Sequence, residues 1–101
     1  YPTYQLGARG AIAAILTAAP GPSVKLWNAV KEQDWGTARD LHERLMPLWD
    51  AIGLDNMPSL VKFAQSLQGV EAGFARRPTS PATDQQKEGV RVALRHLKLV
   101  A

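Results

Sequence analysis

The sequence predicts a mainly α-helical fold in which one short strand precedes four helices. Apolar residues recur at spacings of three and four along most of the chain, which is the period of a helix with one buried face. Capping residues, prolines and glycines bracket these segments, whereas the longest continuous apolar run is short and lies near the N-terminus. With 101 residues, 46% of them hydrophobic, the chain has the length and composition of one unit with a packed core.

Composition excludes several classes of function. Cysteine is absent, which rules out disulfides, thiolate metal sites and cysteine nucleophiles and fits the cytoplasm, where we expect the protein. The longest apolar run, residues 11–20, is about half the length needed to span a bilayer, and no basic segment with a cleavage site precedes it. The net charge of +3 is spread along the chain, as on an ordinary solubilising surface. Because the chain starts at Tyr1 rather than Met, we expect it to derive from a longer protein.

Residues 11–17, AIAAILT, form the predicted strand. The run is short and contains the β-branched residues Ile12, Ile15 and Thr17, which favours a buried strand of the parallel type. Its three alanines leave a helix as the alternative. A single strand has no partner in this chain, so the strand interpretation requires a sheet formed by other sequence.

Two helices are predicted next. The chain breaks at residues 20–22, PGP, and helical spacing runs from Ser23 to Glu32. Asp34 is a suitable N-cap for the longest helix, which ends at Gly53 and in which Pro47 is expected to cause a kink. The predicted buried residues of the two helices are Leu26, Trp27, Val30, Ala38, Leu41, Leu45, Leu48, Trp49 and Ile52.

Two more helices complete the prediction. Pro58 suits a first helical turn and Gly69 a position just past a helix end, and residues 70–81 are predicted to be a loop. Thr83 and Gln86 have the spacing of a capping box at the start of the last helix. The predicted buried residues here are Leu60, Val61, Ala64, Leu67, Val90, Ala93, Leu94 and Leu97.

No residue pattern in the chain forms a complete active site. His42 and Glu43 begin like the zinc-binding motif H-E-x-x-H, but Met46 stands where the second histidine ligand is needed, so we expect no metal there. No serine lies in a nucleophile motif. Lys62, between Val61 and Phe63, could suggest a Schiff-base lysine, but it lies one step off the apolar stripe and is expected to be solvated or salt-bridged.

Four cations recur along the last predicted helix. They are spaced by four, four and three residues, which places them on one helix face: Lys87, Arg91, Arg95 and Lys98. Such a face could contact the phosphates of a nucleic acid, in which case the chain would be a free-standing helical interaction module. An ordinary solvated face that complements the helix dipole explains the same pattern without a partner.

Taken in order, several short motifs resemble the C-terminal third of the dihydrodipicolinate synthase and N-acetylneuraminate lyase family, whose members are Schiff-base class I aldolases. The resemblance covers the chain from Gly7 to Leu99. It rests on residues 7–12 (GARGAI) entering a strand, Pro20 opening a helix, Ala38-Arg39, residues 44–48 (RLMPL), Pro58 with Lys62, Arg76 with Pro78 and Pro81, and the closing helix at 90–97.

The resemblance implies that residues 1–33 are the end of a (β/α)8 TIM barrel, with its last strand at about 11–17, and that residues 34–101 are a C-terminal helical domain. It also implies that the catalytic lysine, the proton-relaying tyrosine and the carboxylate-binding threonine loop lie upstream of this chain. Gly10 and Ile12 would then form a wall of the substrate pocket. Many family members have asparagine at the position of Thr17, which leaves the subfamily and its substrate open.

The function implied by the resemblance is that of a segment of a pyruvate-type aldolase or lyase. An upstream lysine would form an imine with a 2-keto acid such as pyruvate, and no cofactor or metal would be required. This chain would be inactive alone and would serve to close the barrel, to wall the pocket and to take part in packing of a homo-oligomer.

Overall fold

The computed structural model describes all 101 residues and contains six helices and no strand. In chain order the helices are α1 (Pro2–Gln5), α2 (Ala14–Ala18), α3 (Pro20–Lys31), α4 (Trp35–Ile52), α5 (Met57–Leu67) and α6 (Asp84–His96). The four longer helices are those that the sequence predicted. The two short ones, α1 and α2, were not predicted.

The strand predicted over residues 11–17 is wrong for this chain. Residues 11–13 belong to no regular element, and Ala14–Ala18 form α2. A strand needs neighbouring strands to bond its N–H and C=O groups, and the chain supplies none. The alanines allow the run to satisfy part of its backbone locally as a helical turn, which was the alternative that the sequence left open.

Helix α3 begins three residues before the expected start at Ser23. Pro20 occupies its first turn, where a missing N–H costs no intrahelical bond, so the two prolines and Gly21 do not break the helix. Leu26 is buried as predicted, whereas Trp27 and Val30 are only half-buried.

The ends of α4 confirm the sequence prediction. The Asp34 carboxylate accepts a hydrogen bond from the backbone N–H of Thr37 at 3.2 Å, which caps the first turn. Gly53 follows the last turn, and a side chain there would come within 2.9 Å of the Trp49 carbonyl oxygen. Five of the six predicted core residues of α4 are buried, but the predicted burial of Trp49 is wrong, since its side chain is 40% exposed.

Helices α5 and α6 also begin and end where expected. Gly69, just past α5, has a φ of +85°, a left-handed conformation that suits glycine. At the start of α6, Thr83 and Gln86 form the predicted capping box, with each side chain bonded to the backbone N–H of the other.

A single core lies between the helices. Helix α4 packs against α3 on one side and α6 on the other, and α5 contacts α6 and α2. The largest fully buried side chains at its centre are Leu48, Ile52, Leu60, Leu94 and Val90. The short helix α2 is held against α3 and α5, which sets the position of the segment that precedes it.

Candidate functional site

The segment from residue 8 to residue 13 connects α1 to α2 and carries the predicted pocket-wall residues Gly10 and Ile12. Both are exposed, and the Ile12 side chain is fully accessible to solvent. None of the backbone N–H groups of residues 9–13 bonds to another main-chain group. An exposed apolar side chain and a row of unbonded backbone N–H groups are typical of a segment that lacks a neighbouring strand.

Two cavities flank this segment. The first has a volume of about 270 Å³ and lies between the segment, α1, α3 and α4. The second, of about 350 Å³, lies between the segment, α1 and α3 and is lined by Gly10. Ala11 lines both cavities, whereas Ile12 lines neither. The structure therefore places Gly10 at a concave surface and Ile12 at an exposed one.

His42 lies in the first cavity and is half-buried. Its ring faces that of Tyr1, with the ring centroids 5.7 Å apart. Burial lowers the pKa of His42, the positive charge of the Tyr1 amino group lowers it further, and Glu43 acts in the opposite direction. No group of three or more His, Cys, Asp or Glu side chains is arranged to hold a metal ion.

Lys62 lies in a third cavity of about 490 Å³, between α5, the 70–82 loop and the start of α6. Its ammonium group is half-buried and donates a 2.6 Å hydrogen bond to the carbonyl of Ala72. The expectation of a solvated or salt-bridged lysine is therefore wrong in detail, since its partner is a main-chain carbonyl. The bond anchors the loop to α5.

The predicted cationic face on α6 is largely paired within the chain. Lys87 lies 3.7 Å from Asp84, and Arg91 lies 3.2 Å from Glu88. The cations at 87 and 91 also lie over the Phe63 ring, at 5.9 and 5.2 Å from its centroid. Arg95 contacts both the Glu88 carboxylate and the Ala101 carbonyl.

Lys98 does not belong to that helix face. Helix α6 ends at His96, and Lys98 lies beyond it with a φ of +57°. The prediction of four cations on one helical face is therefore wrong for Lys98, because α6 ends two residues before it.

One contact between distant residues was not foreseen from the sequence. The Gln68 side chain, at the end of α5, bonds to the carbonyl of Ala18 at the end of α2, 50 residues earlier. A lone glutamine past a helix end carries no sequence signal for such a partner, since the contact exists only once α2 and α5 pack together.

No helix of the structure has the length and apolar character needed to cross a membrane.

Comparison with known proteins establishes the family. The model of the dihydrodipicolinate synthetase family matches residues 1–97 of this chain. The chain therefore belongs to the dihydrodipicolinate synthetase family, as the resemblance in the sequence predicted.

Several curated relatives carry the name 4-hydroxy-tetrahydrodipicolinate synthase. The chain is 32% identical to that protein from Archaeoglobus fulgidus over 100 residues, which cover 99% of this chain and 35% of the relative. It is 34% identical to the synthase of Methanothrix thermoacetophila and 33% identical to that of Bartonella bacilliformis, over 92% and 93% of this chain and 32% of each relative. The chain thus spans about a third of the length of these relatives.

Proposed function

We propose that this chain is the C-terminal segment of a pyruvate-type class I aldolase or lyase similar to dihydrodipicolinate synthase, with a structural and pocket-wall role. One observation carries the proposal: the family model covers nearly the whole chain, whereas the chain covers only about a third of its relatives. The remaining two thirds would supply most of the barrel and the catalytic lysine.

In this proposal residues 1–33 complete the barrel and residues 34–101 form the appended helical domain. The segment from residue 8 to residue 13 supports this arrangement, because its N–H groups have no main-chain partner and Ile12 has no covering neighbour. Barrel strands on either side would satisfy the N–H groups and bury the apolar side chain. Gly10 and Ile12 would then face the substrate pocket or its immediate surroundings.

The chemistry proposed for the whole protein depends on an upstream lysine. Its ε-amine adds to the carbonyl carbon of a 2-keto acid, and loss of water leaves an imine. In synthesis, loss of a proton from the neighbouring carbon gives an enamine, which attacks an aldehyde carbon and regenerates the imine. In cleavage, breaking the bond to the aldehyde carbon leaves the same enamine, which is then protonated. The protonated imine accepts the electron pair, so the reaction needs neither a metal nor a cofactor.

Borohydride trapping tests this proposal. The full-length protein that carries this chain should gain one covalent keto-acid adduct when it is incubated with pyruvate and reduced, and its mass should be about three times that of this chain. The adduct should map to a lysine upstream of Tyr1. Absence of any adduct with pyruvate or other 2-keto acids would contradict the proposed chemistry.

We also propose that the full-length protein is a cytoplasmic homo-oligomer. Exposed apolar residues such as Leu6, Phe74 and Val92 support further packing. Sedimentation equilibrium of the full-length protein tests the oligomer, and a monomer at all concentrations would contradict it.

A further inference from the structure

Gln68 connects two parts of the fold that are distant in sequence. It follows the last turn of α5, and its side-chain amide donates to the Ala18 carbonyl at 2.7 Å and to the Ala64 carbonyl at 2.9 Å. The second bond ties the amide to its own helix, so the side chain is held in the orientation that reaches α2. One side-chain amide thus uses both of its N–H donors.

The carbonyl of Ala18 depends on this bond. Ala18 is fully buried and is the last residue of α2, after which the chain turns at Ala19, with φ −143° and ψ 67°. No main-chain N–H bonds to the Ala18 carbonyl. A buried carbonyl without a hydrogen-bond donor is unfavourable, and Gln68 supplies the donor that the turn itself lacks.

The next carbonyl in the turn is held from the other side. The Ala19 carbonyl accepts hydrogen bonds from the backbone N–H of Ser23 at 3.2 Å and from its hydroxyl at 2.7 Å. The turn between α2 and α3 is therefore fixed by Ser23 from within α3 and by Gln68 from α5. Only the second of these contacts links the turn to α5.

We propose that Gln68 is a positioning residue that holds the α2–α3 turn and, through α2, orients the segment from residue 8 to residue 13. The link to substrate binding rests on the proposed function, in which Gly10 and Ile12 on this segment form the pocket wall. The link to the turn rests on the hydrogen bonds alone.

Hydrogen exchange on this chain tests the link to the turn. Gln68→Glu keeps the shape of the side chain but removes both donors, so exchange at the amides of Ala18 and Ala19 should quicken about tenfold more than at Leu94 in α6. Gln65→Glu is the matched control, since Gln65 lies on the same helix and its side chain makes no hydrogen bond. An equal increase at all three amides, or no increase, would overturn the proposal. If Gln68→Glu does not fold, Gln68→Met applies the same test without adding a charge.

Kinetics of the full-length protein test the link to the pocket. Gln68→Glu should raise the KM for the 2-keto acid severalfold while kcat changes less, and Gln65→Glu should change neither. Unchanged KM together with altered exchange would overturn the pocket role. If the unmodified full-length protein forms no imine at all, the proposed function fails and the exchange result still decides the link to the turn.

Discussion

The side-chain amides of Asn56 and Gln86 form a reciprocal pair between the start of α5 and the start of α6. Asn56 Nδ2 donates to Gln86 Oε1 at 2.9 Å, and Gln86 Nε2 donates to Asn56 Oδ1 at 3.1 Å. Neighbouring groups set the direction of both amides. The Pro81 carbonyl can only accept a hydrogen bond, and Asn56 Nδ2 donates to it. The Thr83 backbone N–H can only donate, and it bonds to Gln86 Oε1. The pair therefore joins two helix starts that lie 30 residues apart.

Removing one amide of this pair should destabilise the fold. We expect Asn56→Ala to lower the free energy of unfolding by about 1–3 kcal/mol, because Asn56 is buried and its loss leaves polar partners unpaired. Asn28→Ala, on the exposed face of α3, should change it by less than about 0.5 kcal/mol. Urea unfolding measures these effects, and adding Gln86→Ala and the double variant Asn56→Ala/Gln86→Ala completes a double-mutant cycle. A coupling energy near zero would contradict the reciprocal pair.

The core face of α4 should be sensitive to truncation. Leu45→Ala is expected to cost about 2–5 kcal/mol, since Leu45 is buried and belongs to the hydrophobic core. Leu54→Ala removes the same atoms from a side chain that is 45% exposed and should cost far less. Equal effects of the two substitutions in denaturant unfolding would show that the core face is misassigned.

Lys62 should not form an imine in this chain. Its ammonium group is held by the 2.6 Å bond to the Ala72 carbonyl, in a cavity that shares no lining residue with the one lined by Gly10. Borohydride reduction with pyruvate should leave the intact mass of the 101-residue chain unchanged, and Lys62→Arg should behave identically. A stoichiometric adduct on Lys62 would sink the proposal that the reactive lysine lies upstream.

His42 should make the chain less stable as the pH falls below 6.5. Burial, assisted by the nearby Tyr1 amino group, lowers its folded-state pKa below the usual 6.5. As the pH falls through 6.5 the unfolded chain binds a proton that the folded chain does not, so the free energy of unfolding declines until the folded pKa is reached. Above pH 6.5 this contribution is constant.

Urea unfolding between pH 7.5 and pH 5.5 measures the effect of His42. His42→Gln should flatten much of the decline, whereas His96→Gln, at an exposed position, should leave it unchanged. Burial also lowers the pKa of the Tyr1 amino group, but from 8.0. The loss of stability that this group causes therefore begins as the pH falls through 8.0, before that of His42 begins. A decline that persists in His42→Gln would assign the pH dependence to other groups.

The amides around Ile12 should test the proposal that residues 1–33 complete a barrel. In the isolated chain the N–H groups of residues 9–13 have no main-chain partner, so they should exchange almost as fast as in an unfolded peptide. In the full-length protein they should be protected by strand pairing. Slow exchange in the isolated chain would point to self-association, which sedimentation velocity would reveal, and fast exchange in both would contradict the barrel assignment.

Most of the helical structure could be predicted because its signals are local. The Asp34 cap, the Thr83–Gln86 capping box and the glycines at 53 and 69 act within one turn of the helix ends that they define. Amphipathic spacing then identified the buried faces of α4, α5 and α6. The predicted burial of Trp49 failed because a large aromatic side chain at the edge of the apolar stripe stays partly exposed.

The candidate site was predicted less completely. Family resemblance selected Gly10 and Ile12, and the structure places one at a cavity and the other in solvent. Asp84 and Glu88 neutralise Lys87 and Arg91 at i,i+3 spacing within α6. Phe63 lies on α5 and contacts these two cations only once α5 and α6 pack, so the sequence pattern did not reveal that contact.

The sequence by itself determined the ends of α4, α5 and α6, most of the residues that the four long helices bury, and the family to which the chain belongs. Only the tertiary structure decided that residues 14–18 are helical and that Gln68 bonds to Ala18. The reason is physical. Helix ends are satisfied by residues within a few positions, whereas a strand or a buried turn takes its hydrogen-bond partners from whatever segment lies beside it.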